Sequence, residues 1–205
     1  AGFVEAKAKQ IADVYVVNTC TVTAKADKDS VYYIHRSHQE NPKGKIIVTG
    51  CLTELNNPQV SSQPGVQLVV KNKDKDKIPK LLNRLKLHNG LPVCRQTGTN
   101  KGISFFKSHT RAFLKIQDGC NNFCSYCKVP LVRGKSRSKP INEIIDEAKR
   151  LAGNGYKEIV LTGICLGAYG RDLKAKKDLV DVIDAVEKID GLLRIRLSSL
   201  EASDV

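Results

Sequence analysis

Residues 118–130 read DGCNNFCSYCKVP and place Cys120, Cys124 and Cys127 within eight residues, a Cys-x3-Cys-x2-Cys array with no fourth cysteine nearby. Thiolates are the ligands of zinc and of iron–sulfur clusters, and structural sites of both kinds ordinarily take four protein ligands. Zinc knuckles and ribbons pair Cys-x2-Cys with a second Cys or His pair some way along the chain. Here the spacing is three then two, and no second pair follows within that distance. A loop of this size can wrap three corners of an iron–sulfur cubane. The fourth iron is then open, as a catalytic metal keeps one coordination position for its substrate. A zinc ion completed by Cys165 or by a histidine is the alternative use of the same thiols.

Other residues carry weaker signals. Cys20 in VVNTCTVTAKAD and Cys51 in IIVTGCLTE each follow a β-branched run. Both are therefore expected at the C-terminal ends of parallel strands, where ligands of open α/β sheets gather. Cysteines 31 residues apart can meet there at one sheet edge. The plain alternative for each is a small buried hydrophobe. VRGKSRSK (132–139) sets four cations just after the cysteine loop, and Arg133 and Arg137 are candidates to clamp a phosphate or carboxylate in bidentate fashion. VLTGICLGAYG (160–170) holds three glycines, which either let the backbone approach a ligand or form an ordinary βα turn. Cys94 and Cys165 read as structural thiols, and His35, His38, His88 and His109 as surface or packing residues.

These residues need elements to position them. Short β-branched runs alternate with longer amphipathic segments, the pattern of a parallel α/β architecture. DVYVV (13–17), KIIVTGC (45–51) and VQLVV (66–70) are predicted strands, with helices over 24–39 and 78–87 and a short segment broken at Pro58. The lysine–aspartate run at 71–77 is predicted as a solvated loop. The pattern lapses over 89–110, read as a linker, and resumes with RAFLKIQ (111–117) as a strand. The cysteine loop follows. INEIIDEAKRLAGNG is then a helix with Pro140 before it and Gly153 and Gly155 at its end. KEIVLTG and LRIRLSS are strands on either side of a helix over 179–189. The expected domains are 1–88, a linker 89–110, and 111–205. Three βα units do not close a barrel, so further C-terminal sequence is expected.

Composition narrows the class. The chain has 205 residues, 41% hydrophobic and 27% charged, enough for a packed core and unlike a disordered tail. No apolar run approaches the ~20 residues of a membrane-spanning helix, so no membrane partner is expected. The surplus of 34 Lys and Arg over 21 Asp and Glu, +13, favours a polyanionic partner such as nucleic acid; a basic surface without a partner is the alternative. Seven cysteines, clustered and odd in number, suit a reducing compartment where thiols serve metals or chemistry.

With the aromatic Tyr126 before the last cysteine and a strand ahead of the loop, Cys-x3-Cys-x-aromatic-Cys resembles the signature of radical S-adenosylmethionine enzymes. The longer pattern FLKIQDGCNNFCSYC…P…RG…SRS…P, over 113–140, is similar to the methylthiotransferases among them, and most similar to the branch acting on threonylcarbamoyladenosine in tRNA. The resemblance implies an N-terminal methylthiotransferase domain followed by part of a radical S-adenosylmethionine (βα) barrel. Cys120, Cys124 and Cys127 would hold a [4Fe–4S] cluster whose open iron is chelated by S-adenosylmethionine, and Tyr126 would pack near the adenine. Thr162 and Gly163 would lie by the methionine amino group, and Ser198 and Glu201 by the ribose hydroxyls. Three N-terminal cysteines hold a second, auxiliary [4Fe–4S] cluster in this family. Cys20 and Cys51 fit two of them, and the first is expected upstream of this sequence, as an RNA-binding module is expected beyond its end.

The implied activity is addition of a methylthio group at C2 of N6-threonylcarbamoyladenosine beside the tRNA anticodon, by a cytoplasmic enzyme. Its partners would be tRNA, an electron donor and a sulfur donor of unidentified chemistry. Isopentenyladenosine in tRNA and an aspartate of a ribosomal protein are the alternative substrates. A non-catalytic, metal-bearing tRNA-binding protein is the alternative of another class.

Overall fold

A computed structural model of the chain describes Val4, Ala6 and residues 10–55, 58–84 and 109–202. The expected helical residues 85–87, His88, Cys94 and nearly all of the expected linker 89–110 lie outside the described residues. The described residues form two compact units, one drawn from 1–98 and 126–132, the other from 99–125 and 133–205.

The first unit is built on a three-stranded parallel sheet in the order β1 (Val14–Thr19), β2 (Lys45–Gly50), β3 (Val66–Lys71). Helix α1 (Ala24–Glu40) joins β1 to β2. It starts where Thr23 Oγ1 accepts the Ala26 N–H at 3.1 Å, an N-cap that satisfies one of the first-turn donors. A 3-10 turn (Cys51–Leu55) and the short α2 (Pro58–Ser61) join β2 to β3. As the middle strand, β2 is buried from Ile46 to Gly50. Because strand side chains alternate in direction, Ile46 and Val48 pack with Ile34 of α1, Leu52 and Val60. Ile47 meets Val70 and Leu82 on the opposite face.

Residues 71–77 differ from the expected loop. Asn72–Lys77 winds into a 3-10 helix leading into α3 (Ile78–Arg84). Two local bonds hold that shape: Lys77 Nζ to Asp74 Oδ1 at 2.6 Å, and the Asn72 N–H to Glu54 Oε1 at 2.7 Å. Lysine–aspartate pairs three apart meet on a helical turn, so the charge run favours winding over a free loop.

The second unit carries a parallel sheet in the order β4 (Ala112–Lys115), β7 (Glu158–Thr162), β8 (Arg194–Leu197). Its core packs Ala112, Leu114 and Ile116 with Ile159 and Leu161 against helices α5 (Ile141–Gly153) and α6 (Leu179–Glu187). Helix α5 stops at Asn154 because Gly155 turns left-handed at φ +90. The Gly155 N–H then bonds Ala152 O, and the Tyr156 N–H bonds Leu151 O, the Schellman arrangement. Helix α6 begins with a reciprocal capping box between Asp178 and Asp181.

The single strand expected over 111–117 is divided. β4 ends at Lys115, and the chain bends so that β5 (Gln117–Asp118) pairs antiparallel with β6 (Arg137–Ser138). The Ile116 N–H goes to Thr162 O at 2.9 Å, while Ile116 O accepts the Lys139 N–H at 2.8 Å. Ile116 is therefore the hinge between the sheet and the ribbon that carries the cysteine loop. In chain order, α4 (Val129–Arg133) falls between the two ribbon strands. The architecture is mixed α/β with parallel sheets, as expected. No helix among the described residues is long and apolar enough to cross a membrane.

Candidate metal and cofactor site

The β5–β6 ribbon closes the base of the cysteine loop. Gly119 turns left-handed at φ +76, and a Cβ there would strike the carbonyls of Lys135 and Gly134. The Cys120 N–H bonds Gly134 O at 3.1 Å, and Asn121 Oδ1 accepts the Ser136 N–H at 3.0 Å. Beyond this base the loop is open: Cys124 and Tyr126 are exposed, Cys120 and Cys127 partly so. Phe123, at φ +47, is a non-glycine residue in left-handed conformation. It bends the loop between Cys120 and Cys124, and such outliers collect at ligand sites.

Asp118 organises the base electrostatically. Its Oδ1 accepts from the Gly119 N–H at 3.0 Å and from Arg133 Nη1 at 3.1 Å; its Oδ2 accepts from Lys115 Nζ at 3.1 Å. Burial pushes this carboxyl up, but the Lys115 and Arg133 cations outweigh it and hold the group below the usual carboxylate value. A depressed native value means the carboxylate's contribution to stability is present above the unfolded-state value, about 3.9, and is lost as pH falls through the native one. Asp118→Asn is therefore expected to lower the urea midpoint of the metal-free chain near neutrality and to flatten its decline below about pH 4. Urea titrations at a series of acid pH values check this. A parallel decline in both proteins would exclude a role for Asp118.

The ends of β4, β7 and β8 form one edge, since Lys115 pairs with Thr162 and Leu161 with Leu197. Thr162, Gly163 and Ser198 thus lie along that edge. The Ser198 N–H bonds Leu161 O at 3.0 Å, leaving its Oγ buried without a hydrogen-bond partner among the described residues. Glu201 is exposed further on, and Arg137 is exposed in β6. Arg133 is committed to Asp118 at the loop base. A Cβ on Gly163 would meet Gln117 Oε1 and Leu166 Cδ2, each at 3.0 Å. Close packing against Gln117 thus accounts for this glycine.

The loop after β7 is held by Tyr169, whose hydroxyl donates to Lys139 O at 2.7 Å. Burial, with Asp172 and Asp181 nearby, pushes this phenol up to about 12, so it stays a donor. Ser138 Oγ accepts the Gly170 N–H at 2.8 Å and donates to Asp172 Oδ1 at 2.6 Å.

In the first unit, Thr19 pairs with Gly50, so Cys20 and Cys51 follow register partners on adjacent parallel strands. Gly50 sits at φ +106, where a Cβ would strike the backbone of Thr19. Ser30 of α1 tethers Cys20: its Oγ accepts the Cys20 N–H at 3.2 Å and donates to Ala26 O at 2.7 Å. Cys20 is exposed and Cys51 buried.

Among the described residues no three His, Cys, Asp or Glu side chains converge into a metal-holding group, so the fit of a cluster rests on donor chemistry. Cys120, Cys124 and Cys127 are free thiols, the soft donors that suit iron–sulfur clusters and zinc. The Asn122 N–H already points at Cys120 Sγ, at 3.4 Å; hydrogen bonds to the sulfurs are among the features that tune a cluster. The orphaned Ser198 hydroxyl suits a ligand with hydroxyl groups at the sheet edge. The donor set fits a cluster with one open iron. Cys165 is buried, with its N–H bonded to Gln117 Oε1.

Sequence reasoning missed Gln117, Asp118, Ser136 and Ser30. Asp118 and Gly119 carried a local signal, the Asp-Gly turn dipeptide. Gln117 carried none, because Ser136, Ile164 and Cys165 lie 19, 47 and 48 residues along the chain, and Ser30 carried none, because Cys20 precedes its helix by a turn.

Two family models match. The one described as Uncharacterized protein family UPF0004 covers residues 1–71, and that of the Radical SAM superfamily covers 114–201. Over its whole length the chain is 40% identical to a threonylcarbamoyladenosine tRNA methylthiotransferase of Bacillus subtilis, covering 47% of that protein. A protein of the same name from Aquifex aeolicus is 36% identical, over 96% of this chain and 49% of its own length. A tRNA-2-methylthio-N(6)-dimethylallyladenosine synthase of Clostridium novyi is 34% identical over the whole chain and 47% of its own length. The chain spans about half the length of these curated relatives.

Proposed function

We propose that the chain belongs to the radical S-adenosylmethionine methylthiotransferases and is part of an enzyme adding a methylthio group at C2 of N6-threonylcarbamoyladenosine in tRNA. The observation that carries the proposal is the three-thiol loop on a closed ribbon, following the first strand of a parallel sheet whose other two strands end in a glycine turn and an orphaned serine hydroxyl.

Cys120, Cys124 and Cys127 hold a [4Fe–4S] cluster in this reading, leaving one iron for S-adenosylmethionine. The chemistry such a cluster supplies when bound is one-electron reductive cleavage of that cofactor. The protein's own part is binding and orientation. Tyr126 covers the adenine, the backbone at Thr162 and Gly163 receives the methionine amino group, and Ser198 and Glu201 receive the ribose hydroxyls. Lys115 and Arg133 hold Asp118 charged at the loop base. Arg137, exposed beside it, is the cation available to a phosphate. Cys20 and Cys51, on paired strand ends, are two ligands of an auxiliary [4Fe–4S] cluster. The 1–88, 89–110 and 111–205 division is the domain plan proposed, and the cytoplasm the compartment. An electron donor is required as a partner. The basic surplus of +13 suits tRNA.

Threonylcarbamoyladenosine is favoured over dimethylallyladenosine by the higher identities to relatives named for it. Anaerobic reconstitution with ferrous iron and sulfide should give a brown protein whose reduced EPR signal changes on adding S-adenosylmethionine. A colourless protein holding one zinc would overturn the reading. Nucleoside mass spectrometry of tRNA from a strain lacking the gene tests the substrate. Loss of 2-methylthio-N6-threonylcarbamoyladenosine is expected, and loss of the dimethylallyl counterpart instead would replace it.

A further inference from the structure

Gln117 is 2% exposed, and its side-chain amide is saturated by groups from two separate loops. Nε2 donates to Gly119 O at 2.7 Å and to Ser136 Oγ at 2.8 Å, both at the base of the cysteine loop. Oε1 accepts the N–H groups of Ile164 and Cys165, at 2.8 and 3.0 Å, in the turn after β7. An amide offers two donors and two principal acceptor positions; all four are used. The two ends are not interchangeable, because the β7 turn presents only donors and Gly119 O only accepts. Gly163 completes the fit, since a Cβ there would press on Oε1. Nothing else about Gln117 calls for burial: it sits in a two-residue strand, and an alkyl side chain would fill the space without the bonds.

We propose that Gln117 is the positioning residue of the cysteine loop. Its amide fixes the point where Cys120 leaves the sheet edge, and ties that point to the turn expected to meet S-adenosylmethionine. This rests on Cys120, Cys124 and Cys127 being cluster ligands. The amide contacts no iron and no substrate; it acts through the backbone of Gly119 and through Ser136, which itself bonds Asn121. Losing it leaves the three thiols in place but loosens their common frame.

The test uses the whole chain, reconstituted anaerobically with ferrous iron and sulfide, in four forms: wild type, Gln117→Leu, Gln117→Glu and Ser136→Ala. Circular dichroism and urea midpoints of the metal-free proteins separate folding from loading. The readout is the rate of cluster loss to a chelator, with the S-adenosylmethionine concentration needed to alter the reduced EPR signal as a second measure. Gln117→Leu is expected to accelerate cluster loss roughly 10- to 100-fold, the usual consequence of losing a partner that orients a metal ligand. Gln117→Glu keeps the acceptor for the β7 turn and loses the donated pair. It should resemble the leucine variant, with Ser136→Ala intermediate. Should the leucine variant fail to fold, the other two carry the same expectation. Folded, loaded variants with wild-type chelator resistance and EPR response would overturn the role of Gln117. A wild-type chain that loads zinc and no cluster would instead overturn the reading on which it rests.

Discussion

Reconstituted under anaerobic conditions, Cys124→Ala is expected to retain almost no iron or sulfide, while its metal-free fold matches the wild type. Cys124 is exposed on an open loop and belongs to no core cluster, so removing its thiol leaves no cavity. The effect should fall on the metal alone. Loss of an outer-shell partner reduces metal affinity roughly 10- to 100-fold, and loss of one of only three protein ligands should exceed that. Two companions sharpen the result. Cys165→Ala should keep its cluster, because Cys165 lies outside the Cys-x3-Cys-x2-Cys loop; if Cys165 completed a zinc site, metal would be lost here as well. The Cys20→Ala, Cys51→Ala double variant should keep the cluster held by Cys120, Cys124 and Cys127. Iron and sulfide analysis with EPR of the reduced proteins decides all three. Full cluster content in Cys124→Ala would remove the loop from the metal site.

The cysteine loop and the strand ends were legible because both are local. Spacing of thiols is printed in the chain, and a β-branched run ending in Cys51 or Thr162 predicts where a parallel strand stops. What was not legible depends on residues distant in sequence. RAFLKIQ reads as one alternating strand, with Ala112, Leu114 and Ile116 on one side. Alternation would put Gln117 on the outer side with Phe113 and Lys115. It is buried instead, because Ile116 turns the chain from the β7 ladder to β6. No pattern within seven residues encodes a turn made by hydrogen bonds to Thr162 and Lys139. Gly163, which reads as either a ligand-approaching glycine or part of an ordinary βα turn, is crowded by a side chain 46 positions earlier that no local pattern shows. Arg133 looked available for a phosphate, yet Asp118, 15 residues before it, engages it.

Two glycines of the loop base share a backbone conformation and differ only in surroundings, which makes a controlled pair. Gly119 and Gly134 both sit at φ +76. Gly134 has nothing within 4 Å of where a Cβ would stand, whereas at Gly119 that Cβ would strike the carbonyls of Lys135 and Gly134. Left-handed conformation disfavours an L side chain by about 1–2 kcal/mol, and alanine recovers about 0.4–1 kcal/mol by restricting the unfolded chain. Gly134→Ala should therefore lower stability by about 0–1.6 kcal/mol. Gly119→Ala carries the same net strain plus an overpacking penalty of about 1–3 kcal/mol, for a total of about 1–4.6 kcal/mol. One of the two carbonyls that must retreat, Gly134 O, is also the one bonded to the Cys120 N–H, so relief of the clash moves a ligand. Urea unfolding of the metal-free proteins should thus separate the two variants by a clear shift in midpoint. Cluster retention should fall in Gly119→Ala and stay close to wild type in Gly134→Ala. Equal losses in both would mean that φ alone matters and that the ribbon does not set the position of Cys120.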